Sequence, residues 1–328
     1  MAIVIHMAVV AMMVFWGTLR VRAATGEFVT ILPSADTTLM EYFPSNNFGG
    51  GPYFNSGSIR NATQPSPYPY PRNRGLLQFD VAAQVPQGSR ILAVTLVIEV
   101  TLISVNNPDT GAQYNFHRML RPWGEGTKTN QITPPTQDPA GLGALATEGE
   151  ATWQYRFAFT TNTWAAPGGA LDVDFSADIS VSKYFYGPAF SPYYISSTAG
   201  LVADVQYWLD QPANNFGWML KVDPETDGST ARRFGSREGG LPARIQVEYL
   251  PPPTVLSVEM VEGGEFRLSF AAYGQQAYSV EYADSLPATM WTMLTNVSFP
   301  TNTPVLITDF VATNQARLYR VQLQQLQK

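Results

Sequence analysis

The sequence predicts an all-β protein: an antiparallel, jelly-roll-like β-sandwich with one short helix, followed by a small second β-sandwich. Three observations carry that expectation. Gly 26 and Pro 25 among 328 residues supply many turns, because these two residues free or fix backbone angles that regular elements avoid. Aromatic residues make up 12% of the chain, and Val, Thr and Ile are frequent, which suits pleated, half-buried surfaces. Helical spacing of apolar residues is confined to the stretch from Thr198 to Lys221.

That stretch is the organising unit. Leu201, Val202, Val205, Trp208 and Leu209 fall on one helix face, with Thr198 placed to cap its start. Pro212 forbids continuation, Asn214 to Gly217 turn the chain, and Trp218 to Val222 reads as a core strand. Upstream, Glu27–Leu32 and Ser34–Met40 read as opening strands, and Pro44 to Pro71 as a long loop dense in Gly, Asn, Ser and Pro. Leu77, Phe79 and Val81 alternate with polar residues, and Leu92, Val94, Leu96, Ile98, Val100 and Leu102 define one further strand. Tyr114–Leu120 is another. A loop to Gly149, a short strand at Trp153–Phe159 and an acidic loop at Asp172–Asp178 follow, and Ile245, Val247 and Tyr249 close the sheet. Pro251–Pro253 reads as a stiff linker between a 25–250 sandwich and a 254–328 domain. In that second domain Phe266, Leu268 and Phe270, then Tyr278, Val280 and Tyr282, then Tyr319, Val321 and Leu323 give three alternating strands.

Composition bounds the function. With 45% hydrophobic and 14% charged residues the chain can build cores. A net charge of −6 opposes a nucleic-acid partner, which would need Lys and Arg to neutralise phosphates. Cys 0 excludes disulfides, thiol catalysis and thiolate metal sites. Residues 1–24 read as a signal peptide, since Met7 to Trp16 is an apolar run of that length and Val21-Arg22-Ala23 has the small residues of a cleavage site. The run is short for a spanning helix, which needs ~20 residues. No Lys or Arg precedes it, so an uncleaved anchor is the alternative. The mature chain is expected to be extracellular or at the cell surface, with no membrane span.

Several segments, taken in order, resemble the DNRLRE-domain family of secreted bacterial β-sandwich proteins. They are Ala35-Asp36-Thr37-Thr38, Arg74 to Asp80, Arg118 with Trp123-Gly124-Glu125-Gly126, Ala151-Thr152-Trp153, Trp164 to Gly169, Leu201 to Leu220 and Phe234-Gly235-Ser236-Arg237-Glu238. Val280 to Leu286 with Trp291 resembles the small immunoglobulin- or fibronectin-like domains found at the ends of such proteins. The resemblance implies a non-catalytic extracellular module, related to a carbohydrate-binding module family with an alginate-binding member. The lysines on which alginate binding relies in that family are absent here. Arg60, Arg72 and Arg74 lie in the corresponding region.

Candidate chemistry is of three kinds. A sugar site uses an aromatic face against a pyranose ring, with Arg, Asn or Asp fixing its hydroxyls or carboxylates. Tyr68, Tyr70, Arg72 and Arg74 combine these groups in one proline-stiffened loop, with Arg60 nearby; packing of the tyrosines onto the sheet is the competing reading. Asp172, Asp174 and Asp178 offer oxygen ligands for a structural calcium, with Asp36 and Asp80 as distant ligands and solvated loop charge as the alternative. Glycoside hydrolysis needs two carboxylates roughly 5 to 9.5 Å apart, for which Glu125, Asp172, Asp174 and Glu238 are the candidates. His117, the single histidine beyond the leader, reads as structural, and Arg237 with Glu238 as an internal ion pair. The leading expectation is an exported, non-enzymatic module that binds an extracellular polysaccharide, including an anionic one. A structural or adhesive surface protein is the alternative, and a polysaccharide-degrading enzyme comes third.

Overall fold

A computed structural model describes residues 26–59, 70–103, 110–130, 141–261, 264–285, 287–288, 290–310 and 317–324. The leader, Arg60 and Tyr68 lie outside the described residues. The strands in chain order are β1 (Glu27–Ile31), β2 (Pro33–Met40), β3 (Asn46–Asn47), β4 (Tyr53–Ser58), β5 (Arg72–Phe79), β6 (Arg90–Ile98), β7 (Val100–Ile103), β8 (Ala112–Met119), β9 (Ala144–Leu145) and β10 (Phe175–Phe185). They continue with β11 (Tyr193–Ile195), β12 (Trp218–Val222), β13 (Arg232–Gly235), β14 (Arg244–Leu250), β15 (Val255–Val261), β16 (Glu265–Ala272), β17 (Ala277–Ala283), β18 (Thr292–Ser298), β19 (Thr303–Asp309) and β20 (Leu318–Leu323). Among the described residues one α-helix, α1 (Ala199–Asp210), interrupts them. No helix among the described residues is long and apolar enough to cross a membrane.

The chain divides into two compact units, one built on Phe28–Val85 and Ile91–Glu248, the other on Tyr249 onward with Pro86–Arg90. In the first, a four-stranded sheet runs β1-β14-β6-β11 and an eight-stranded sheet runs β10-β8-β12-β5-β4-β13-β7, with β2 also paired to β5. Alternation sends Tyr114, Phe116, Trp218, Leu220, Leu77 and Phe79 to the inner face of the larger sheet, all fully buried. Phe185 of β10 meets Tyr193 of β11 at 5.0 Å between ring centroids, which joins the two sheets through the core. The second unit has two three-stranded sheets, β15-β16-β19 and β18-β17-β20. Its core stacks Phe266 on Tyr319 at 4.0 Å, while buried Asp309 accepts hydrogen bonds from the Tyr319 hydroxyl and Arg317.

The helix forms as its spacing predicts. The Thr198 hydroxyl accepts from the Leu201 amide at 3.1 Å and donates to the Ser180 carbonyl at 2.6 Å, so one side chain caps α1 and ties it to β10. Gly200 permits that approach, since a Cβ there would lie 2.5 Å from the Ser180 oxygen. Trp208 packs on Trp218 at 4.5 Å, and the Asp204 carboxylate, buried on the same face, accepts from the Trp218 indole at 2.7 Å. Gly217, at φ 73°, makes the turn into β12.

Five expectations need correction. Leu92 to Leu102 is two strands: the chain leaves the four-stranded sheet after Ile98 and enters the eight-stranded one at Val100, pivoting on buried Glu99. The loop from Pro44 to Pro71 contains β4, which pairs with β13 along Tyr53–Ser56 and with β5 at Gly57 and Ser58. Arg72 and Arg74 belong to β5 and not to a loop. Trp153–Phe159 forms bends with a single bridge, Tyr155 to Thr163, while the acidic stretch ending at Asp178 runs into the eleven-residue strand β10.

Candidate functional site

The outer face of the eight-stranded sheet is covered along part of its length and open along the rest. The covered part is a second core, in which Trp123, Trp153 and Trp164 close over Leu76, Met119 and Met219. The open part lies on β10, β8 and β12. There Tyr184 stands opposite Gln113, and the Asp223 amide, one residue past β12, donates to the Gln113 carbonyl at 2.9 Å. Tyr184, Gln113 and Asp223 therefore form a row across three neighbouring segments of the sheet, spaced by the ~4.8 Å of adjacent strands. Ser182, Asn115 and Lys221 form the next row on the same face. The Ser182 hydroxyl donates to the Asn115 amide oxygen at 2.7 Å, and the Asn115 amide nitrogen donates to Asp223 at 3.1 Å, which orients the carboxylate.

These residues open into a groove of about 560 Å³ lined by Tyr70, Gln113, Tyr184, Asp223, Asp227 and hydroxyl-bearing neighbours such as Thr226. Tyr184 is 47% exposed. A run of rings leads away from it, Tyr184 to Tyr186 at 5.1 Å and Tyr186 to Phe190 at 5.4 Å. Behind the groove Arg232, 1% exposed, donates to the carbonyls of Tyr186, Thr110 and Thr230, and the Tyr114 hydroxyl also donates to Thr230. A buried cation thus fixes three backbone segments that border the groove.

Of the residues expected to hold a sugar, Tyr70 lies in this groove, and Arg72 and Arg74 do not line it. Arg74, 7% exposed, makes a two-pronged contact with Glu225 at 2.8 and 2.7 Å and donates to the carbonyls of Gly168 and Gly169. Arg72 pairs with Glu41, and both guanidinium groups lie over the Trp153 ring, at 5.1 and 5.4 Å. This ladder of alternating charge anchors the covered core to β5.

The carboxylates gather at a different place. Among the described residues, oxygens of Asp36, Glu125 and Glu238 lie within 4.8 Å of one another. Arg237 sits between them, bonded to Glu125 at 2.7 and 2.8 Å and to Glu238 at 2.8 Å, while its amide donates to Asp36 at 2.8 Å. Burial pushes the Asp36 carboxyl up to about 7, and Glu125 is raised for the same reason. Two of the carboxylates considered for hydrolysis, Glu125 and Glu238, thus meet through a guanidinium. Asp174, buried, accepts from the amides of Ala165 and Ala170, and Asp172 accepts from Ala177, so each staples a local turn, and neither they nor Asp178 belong to the cluster. Asp80 caps the Ala83 amide. His117 is buried on β8 with Nδ1 at 2.9 Å from the Ser176 carbonyl, and desolvation lowers its affinity for a proton.

Sequence reading missed Tyr184, Gln113 and Asp223. The signal was present for one of them: Ser182, Tyr184 and Tyr186 alternate with Val181, Lys183 and Phe185, which is strand periodicity with aromatics on the outer side. No family model and no curated protein sequence matches the chain.

Proposed function

We propose that the protein is an exported, non-catalytic module that binds a polysaccharide chain in the groove on β10, β8 and β12. The row Tyr184, Gln113, Asp223 carries this reading. An exposed ring offers a flat apolar face to a pyranose, while the amide and the oriented carboxylate exchange hydrogen bonds with its hydroxyls. The groove volume of about 560 Å³ falls within the ~300–1,000 Å³ of small-ligand sites. In the acidic cluster Glu125 and Glu238 share the single guanidinium of Arg237, an ion-pair network that supports a structural role for these carboxylates. The resemblance to secreted DNRLRE-type sandwiches points the same way, and so does the signal-peptide-like leader.

Retention on insoluble polysaccharides and affinity electrophoresis in soluble ones test the proposal. Tyr184→Ala with Gln113→Ala is expected to weaken retention about tenfold, the equivalent of ~1.4 kcal/mol, with an unchanged melting curve. Absence of retention on any glycan, together with self-assembly of the purified protein, would favour the adhesive alternative.

A further inference from the structure

We propose that the groove prefers glycans whose sugar units carry free amines, and that it rejects uronate chains. This rests on the polysaccharide reading above and adds the ligand's charge to it. Asp223 and Asp227 both line the groove, and among the described residues no Lys or Arg does. Three cations on the adjoining strands do not line it. Lys183 donates to the Tyr194 carbonyl at 3.2 Å, Arg232 is buried against backbone carbonyls, and Lys221 stands one row further along β12, with Asn115.

Two exposed carboxylates in one concavity attract an ammonium and repel a carboxylate. The attraction of such a pair strengthens as the effective dielectric falls from that of water to that of a protein surface. The faces of Tyr70 and Tyr184 act in the same sense, because an aromatic ring presents negative charge above its plane and binds cations there. A net charge of −6 on the chain adds a long-range field of the same sign.

The test compares three oligosaccharides of equal length by calorimetry at a pH where amines are protonated: a glucosamine oligomer, its fully N-acetylated counterpart and a uronate oligomer. The glucosamine oligomer is expected to bind on the order of tenfold more tightly than the acetylated one, the yield of two exposed ion pairs of up to ~1 kcal/mol each. That ratio is expected to collapse toward one at roughly 0.5 M salt, where screening shortens to a few ångströms. Asp223→Asn with Asp227→Asn is expected to shrink it several-fold. Both side chains are exposed and Asn can still accept from Asn115, and the single Asp227→Asn variant serves if the double variant melts early. Equal, salt-insensitive binding of the amine and acetylated oligomers, or tightest binding of the uronate, overturns the charge preference and leaves the polysaccharide reading standing. Failure of every glycan to bind overturns both.

Discussion

Asp36 shows how a single buried carboxyl couples the fold to pH. It is 1% exposed, and burial is the main reason its proton is held up to about 7, against the pull of the Arg237 amide and Ser236. In the unfolded chain an aspartate releases its proton near 3.9. Between these values the folded protein binds the extra proton, so this group's contribution is fully present below about pH 4 and is lost as pH rises through about 7. Urea unfolding is therefore expected to show higher stability near pH 5 than near pH 8, and Asp36→Asn, whose amide oxygen can still accept from Arg237, is expected to flatten that slope. An unchanged slope in the variant would place the titration elsewhere. The residues of this cluster were visible in the sequence as isolated acids. Their convergence was not, because Asp36, Glu125 and Glu238 come from three distant segments and meet only in the folded chain, through Arg237 and the Asp36 amide. The ion pair of Arg237 with Glu238 was legible because the two residues are adjacent.

At the scale of elements, α1 was the most readable part of the chain. Its face of Leu201, Val205, Trp208 and Leu209 is buried as the spacing predicted, and Thr198 caps it. The polar member of that face, Asp204, was not predicted, since burial of a carboxylate depends on partners from other elements. Those partners are the Trp218 indole, the Ser180 hydroxyl at 2.5 Å and Arg118 at 3.2 Å. Asp204→Ala leaves a buried indole N–H and a guanidinium without their acceptor, and it is expected to cost about 2–4 kcal/mol by chemical denaturation. A loss below ~1 kcal/mol would show that water replaces the carboxylate. β10 was obscured for a related reason. Its first residues mix Ser, Ala and Asp as a loop would, and the strand exists because its residues from Ile179 to Phe185 find register on β8 from His117 to Ala112. The pivot at Glu99 was likewise invisible, because β6 and β7 continue one alternating pattern and only the sheets they join distinguish them.

For the molecule as a whole, the all-β class followed from turn residues and alternation, which are local properties. The division of the outer face into a covered core and an open groove depends on pairings such as Trp218 with both Leu77 and Arg118. No window of sequence contains such a pairing. That division has a further consequence for recognition. Gln113, Tyr184 and Asp223 stand on or directly beside paired strands packed on the core, so this row of the receptor is already in its bound geometry before a ligand arrives. Amide hydrogen exchange at Asp223, whose amide is bonded to the Gln113 carbonyl, is accordingly expected to be nearly as slow in the free protein as in a glycan complex. The ordering penalty of association would then fall almost entirely on the flexible sugar chain.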